Sequence, residues 1–91
     1  MKQKVVRKTL NGRFTAFTFD VKARAFFVKN FTDDAIFVSF VNDNTESGSF
    51  KIASGTAEEL YISSGIAKTE HYTDTIYVKG TGEVEVEATD F

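Results

Sequence analysis

The side chains best placed for concerted chemistry in this chain are charged rows rather than nucleophiles. Glu83, Glu85 and Glu87 recur at every second position, a spacing that on a β-strand puts three carboxylates on one face, where they repel unless cations oppose them. Lys22 and Arg24 have the same two-residue spacing and are the expected counter-row. If the two strands are neighbours the rows form a cross-strand ladder; if they lie on opposite sides of the molecule they join successive copies head to tail. A solvated acidic edge that discourages aggregation is the third arrangement open to the glutamates. Exposed ion pairs contribute only ~0–1 kcal/mol each, so the charges set partner and register more than affinity.

Other chemistry has little to draw on. His71 is the single histidine, within Lys68-Thr69-Glu70-His71-Tyr72-Thr73-Asp74. Glu70 or Asp74 could orient it, but no nucleophile with a recognised local motif accompanies it, and the chain reads as non-enzymatic with no catalytic residue and no cofactor. The oxygens of Asn42-Asp43-Asn44-Thr45-Glu46 suit a hard cation, yet the spacing is not that of a calcium loop. A hydrophilic turn is the expected reading, and no metal is assigned.

Charge is divided along the chain. Residues 1–30 carry eight cations against Asp20 alone, a local charge of +7, while residues 31–91 carry three lysines against twelve acids, −9. A domain divided this way pairs its own halves or offers a positive surface to the negative surface of a second copy. The net charge of −2 argues against general nucleic-acid binding. Single-stranded nucleic acid on Arg13, Phe14, Phe17, Lys22 and Arg24 is the local form of that idea, and the acidic remainder opposes it. With no cysteine, neither a disulfide nor a thiolate zinc site supplements the core. No apolar run is long enough for a signal peptide or a membrane span, so a soluble protein without membrane contact is expected.

The elements that must position these groups are strands. Thr15–Phe19, Val21–Ala25, Ile36–Phe40 and Glu83–Glu87 alternate with period two, and β-branched and aromatic residues suit a pleated surface. Asn11-Gly12 has the composition of a type I′ hairpin turn and predicts pairing of Val5–Leu10 with Phe14–Phe19. Asp33-Asp34, Asn42 to Ser49, Ser54-Gly55, Ser63-Ser64-Gly65 and Gly80-Thr81-Gly82 mark later turns. Thr56–Leu60 is the one plausible helical turn, with loop and strand preferred. The expectation is one all-β domain over residues 1–91, a compact antiparallel β-sandwich or jelly roll of seven to eight short strands, with residues 1–20 a possible projecting hairpin or arm. Chains without proline, such as this one, leave strand edges less protected, so the edges should be charged or paired with a neighbouring subunit.

Ten phenylalanines in ninety-one residues exceed what one core of this size needs. Consecutive Phe26-Phe27 must point to opposite faces, and Ile36–Val41 is apolar on both. Phe27, Phe31 and Phe37 are therefore candidate apolar contacts, beside the interior of a sandwich as the simpler destination. Tyr61, Tyr72 and Tyr77 are candidates for an aromatic sugar platform, which would make the chain a monomeric carbohydrate- or surface-binding module.

Three segments carry a family likeness. Phe26–Phe40, Phe50–Glu58 and Asp74–Val86, in that order, resemble small β-sandwich structural proteins of tailed bacteriophages and prophages of Gram-positive bacteria. The resemblance covers roughly residues 26–88 and is one of texture and segment order. It implies a virion or virion-assembly component, located in the virion and in the host cytoplasm during assembly, whose partners are further copies of itself or capsid or tail proteins.

Overall fold

The computed structural model describes residues 4–62 and 72–90. Within them the chain forms eight strands: β1 (Val5–Asn11), β2 (Thr15–Ala23), β3 (Ala25–Asn30), β4 (Ile36–Ser39), β5 (Phe50–Ile52), β6 (Ala57–Tyr61), β7 (Thr73–Lys79) and β8 (Thr81–Asp90). They make two four-stranded sheets, ordered β1-β8-β3-β6 and β2-β7-β4-β5, every pairing antiparallel. First pairs with last, second with seventh, third with sixth and fourth with fifth. That nesting is a hairpin rolled up on itself, the jelly-roll connectivity. The expected all-β sandwich is the fold observed, and within Thr56–Leu60 the residues from Ala57 onward are strand rather than helix.

The expected hairpin at Asn11-Gly12 does not form. β1 pairs with β8 and β2 with β7, in different sheets, so Asn11–Phe14 is a corner where the chain passes from one sheet to the other. Gly12 does adopt positive φ, +93°, but it spends that freedom on the corner. Its N–H donates to the carbonyl of Gly80 at 2.7 Å, in the matching corner between β7 and β8. From Asn11 to Thr15 the chain takes four steps while its partner takes three between Thr81 and Val78, and the extra residue bends the ribbon as a bulge does. Residues 4–20 therefore do not project as an arm: Val6, Leu10, Phe17 and Phe19 are buried in the common core.

The Val21–Ala25 alternation likewise hides a change of sheet. β2 ends at Ala23 and β3 begins at Ala25. Arg24 between them donates its N–H to the Asp90 carbonyl at 2.7 Å and accepts from the Ile62 N–H at 2.9 Å. Ala23 and Ala25 are fully buried, small enough for the chain to turn tightly while alternation continues.

Alternation fills the space between the sheets. Val84, Val86 and Ala88 of β8, Phe26 and Val28 of β3, Phe17 and Phe19 of β2, Ile36 and Val38 of β4, Phe40 just past it, and Ile76 and Val78 of β7 are all buried in the core. The Phe26 ring lies 5.4 Å from Phe19 and 6.1 Å from Phe40, both tilted, in the range where aromatic pairs attract. At one end, buried Asn30 closes the core. Its Nδ2 donates to the carbonyls of Asp34 at 2.9 Å and Ile52 at 3.1 Å, and its Oδ1 accepts from the Thr32 N–H at 2.8 Å.

A candidate assembly face on the first sheet

On β8 the inward valines leave Glu83, Glu85 and Glu87 on the outer face of the first sheet. Register then decides their neighbours. Arg7 of β1 and Lys29 of β3 stand on either side of Glu85; Val5 and Phe27 flank Glu87; Thr9 faces Glu83. Past the end of β3, the Phe31 N–H still donates to the Glu83 carbonyl at 3.1 Å, so Phe27, Lys29 and Phe31 continue on the same face.

The central rung is a cation–anion–cation row. Arg7 Nη2 donates to Glu85 Oε1 at 2.6 Å and Lys29 Nζ to Glu85 Oε2 at 3.0 Å, while Arg7 Nε lies 3.2 Å from Glu83 Oε2. Glu85 is only 9% exposed. Hydrogen bonds from Arg7 and Lys29 hold its carboxyl below the usual carboxylate range, outweighing the burial that opposes ionisation. The same contact raises the Arg7 guanidinium further above its already high value. Lys29 Nζ also sits 5.5 Å from the centre of the Phe27 ring, within cation–π range.

The expected counter-row of Lys22 and Arg24 is corrected here. Lys22 is exposed on β2, in the other sheet. Arg24, at the corner, pairs with Asp90, Nε to Oδ2 at 2.8 Å, and that bond raises its pKa. Neither reaches the glutamates, because the rolled topology puts β1 and β3, not β2, beside β8. Arg7 and Lys29 are the residues that sequence reasoning missed. The signal was present: both belong to the basic first third, and pairing the strands first-with-last would have placed Arg7 against Glu85.

Five of the eight singled-out residues, Phe27, Phe31, Glu83, Glu85 and Glu87, thus share one face. Phe31 is 55% exposed and Val5 44%, with Phe27 half-buried. Phe37 is on the opposite side of the molecule, half-buried on the outer face of the second sheet, in register with Lys51 and Lys79. Its neighbour Ser39 is buried because the loop after β4 folds over it, with Asn44 Nδ2 donating to Ser39 Oγ at 3.0 Å. That loop uses its own oxygens: Asn44 Oδ1 accepts from the Thr45 N–H and Glu46 pairs with Lys79. Among the described residues, no group of three or more acidic, histidine or cysteine side chains is gathered to hold a metal. His71 lies outside the described residues.

Compared with protein-family models, curated proteins and solved structures, the chain shows no match to any of them.

Proposed function

We propose that this chain is a non-enzymatic structural module that acts by associating with further copies of itself or with a capsid or tail lattice, as a component of a phage virion or of its assembly. The observation that carries the reading is the outer face of the first sheet, where Val5, Phe27 and Phe31 surround a row in which Arg7 and Lys29 pair with Glu83 and Glu85. Apolar side chains beside carboxylates that already have their own cations can be covered without leaving those carboxylates unpaired. The jelly-roll fold is shared by viral capsid and lectin domains, which supports the reading by analogy alone. The likeness of residues 26–88 to phage structural proteins supplies the biological setting.

A carbohydrate-binding module is the second reading. Tyr61 and Tyr72 are both exposed, and the Arg24 guanidinium lies 5.9 Å from the Tyr72 ring, whereas Tyr77 lies apart on the second sheet. Native mass measured by size-exclusion chromatography with light scattering, at low and high salt, separates the readings. A defined oligomer supports the structural module. A monomer at every concentration and salt, together with glycan binding lost in Tyr72→Ala, overturns it in favour of the sugar binder.

A further inference from the structure

The first sheet ends in two edges of opposite charge, β1 and β6. In β1 the Lys4 carbonyl accepts from the Ala88 N–H, and Gly12 donates to Gly80. Even-numbered residues of β1 thus direct their backbone groups toward β8, and by alternation Arg7 and Thr9 direct theirs outward. In β6 the Thr56 carbonyl accepts from Asn30, and Ile62 donates to Arg24, so Ala57, Glu59 and Tyr61 are the residues turned away from β3. An antiparallel sheet of four strands has edge strands running in opposite directions. A second copy shifted sideways, without rotation, therefore brings its β6 antiparallel to β1, and inner and outer faces continue unbroken.

Resting on the self-association reading, we propose that copies of this chain join edge to edge, β1 of one to β6 of the next, in one register. That register sets Lys8 opposite Glu58 on the inner-facing side of the strands and Arg7 opposite Glu59 on the outer side. It also sets Thr9 opposite Ala57, both turned to the open side of their edge strands. A shift of one residue would turn every side chain to the wrong face, and a shift of two in either direction loses both ion pairs. Pairing β1 with β1 or β6 with β6 opposes like charges, which penalises the twofold dimers. The second sheet offers no equivalent, because its edge strand β5 has only three residues. The joint is heterologous, so sheet twist decides whether it closes into a ring or runs on as a filament. Lys8, whose Nζ now donates to the Ala16 carbonyl at 2.8 Å, blunts the β1 edge as inward-pointing charges do; only a partner carrying an acid at the facing position relieves that block.

Two experiments test the joint. Lys8→Glu and Glu58→Lys should each reduce the native mass to that of a monomer, and mixing the two variants should restore assembly, since each supplies the edge the other now matches. Misfolding cannot produce that rescue. The chain has no cysteine, so Thr9→Cys/Ala57→Cys gives a register-specific readout. These positions lie on strands three spacings apart within one copy, about 14 Å, too far for an internal disulfide. Oxidation should give a covalent ladder of multimers, and Thr9→Cys/Tyr61→Cys should not. An oligomer that persists in both charge variants and gives no ladder overturns the edge joint while leaving self-association intact; a monomeric unaltered chain at every concentration overturns both.

Discussion

Arg7 Nη2 reaches across the β1–β8 pair to Glu85 Oε1 at 2.6 Å, and this contact ties the basic first third of the chain to its acidic last third. The bond stabilises the fold when Glu85 is ionised. Because the folded-state pKa of Glu85 is depressed, its contribution is fully present above the ordinary glutamate value of ~4.3 and is lost as pH falls through the lower folded-state value. Glu85→Gln should therefore lower the melting temperature at pH 7 and flatten its decline on acidification, followed by circular dichroism across pH 2–7. Equal acid sensitivity in the variant and the unaltered chain would remove Glu85 from that role.

Reversal of the same residue distinguishes the observed partners from those expected on spacing. Glu85→Lys should be markedly destabilising, since it sets three cations side by side. Adding Arg24→Glu should not restore stability, because Arg24 pairs with Asp90; adding Arg7→Glu should recover part of it. Denaturant midpoints of the four proteins decide the matter, and rescue through Arg24 would refute the register.

This contrast also marks where sequence stopped being informative. Period-two alternation reports which residues share a face, and Glu83, Glu85 and Glu87 do lie on one face while Phe26 and Phe27 are split between two. It says nothing about which strands are neighbours. Lys22 and Arg24 had the right spacing on the wrong sheet, and Asn11-Gly12 had hairpin composition but served a corner. Gly12 supplies the same positive φ in either setting, so local composition could not separate them; the choice is made by β7 and β8, some seventy residues away in the chain. Phe26 and Phe27 were legible as a pair split between core and surface, whereas the burial of Ser39 depends on a loop whose path no periodicity encodes.

The β7–β8 corner is intolerant of a side chain. A Cβ on Gly80 would lie 2.7 Å from Ile36 Cγ2, and Ile36 is fully buried with no room to retreat. Gly80→Ala should cost about 1–3 kcal/mol, the usual range for overpacking. Gly80→Ala should cost less when it is added to Ile36→Ala, which lacks the Cγ2 that the new methyl group meets. Additive losses in urea denaturation would show that the corner is limited by its backbone conformation instead.

Asn30 should be the most sensitive polar position. Replacing it with alanine strands the carbonyls of Asp34 and Ile52 and the N–H of Thr32 at the closed end of the core. Each orphaned group costs about 1–3 kcal/mol when water cannot reach it. With partial solvent entry a total of about 2–4 kcal/mol is expected for Asn30→Ala, and at least as much for Asn30→Asp at pH 7, which sets a buried carboxylate against the two carbonyl oxygens. A loss below about 1 kcal/mol would mean that water replaces the amide.

Phe31 separates folding from association. At 55% exposure its ring adds little to the core, and Phe31→Ser should change the unfolding free energy by no more than about 0.5 kcal/mol, as surface substitutions usually do. If the outer face of the first sheet is a contact surface, the same change should shift the concentration dependence of the native mass toward monomer, and the shift should persist in high salt, where ion pairs are screened but apolar contacts are not. The edge joint makes the opposite demand, since the register leaves Phe31 beyond the paired segment and its loss should spare edge-to-edge chains. An unaltered native mass in Phe31→Ser together with dispersal in Lys8→Glu would assign association to the edges alone, and the reverse pattern would assign it to the face.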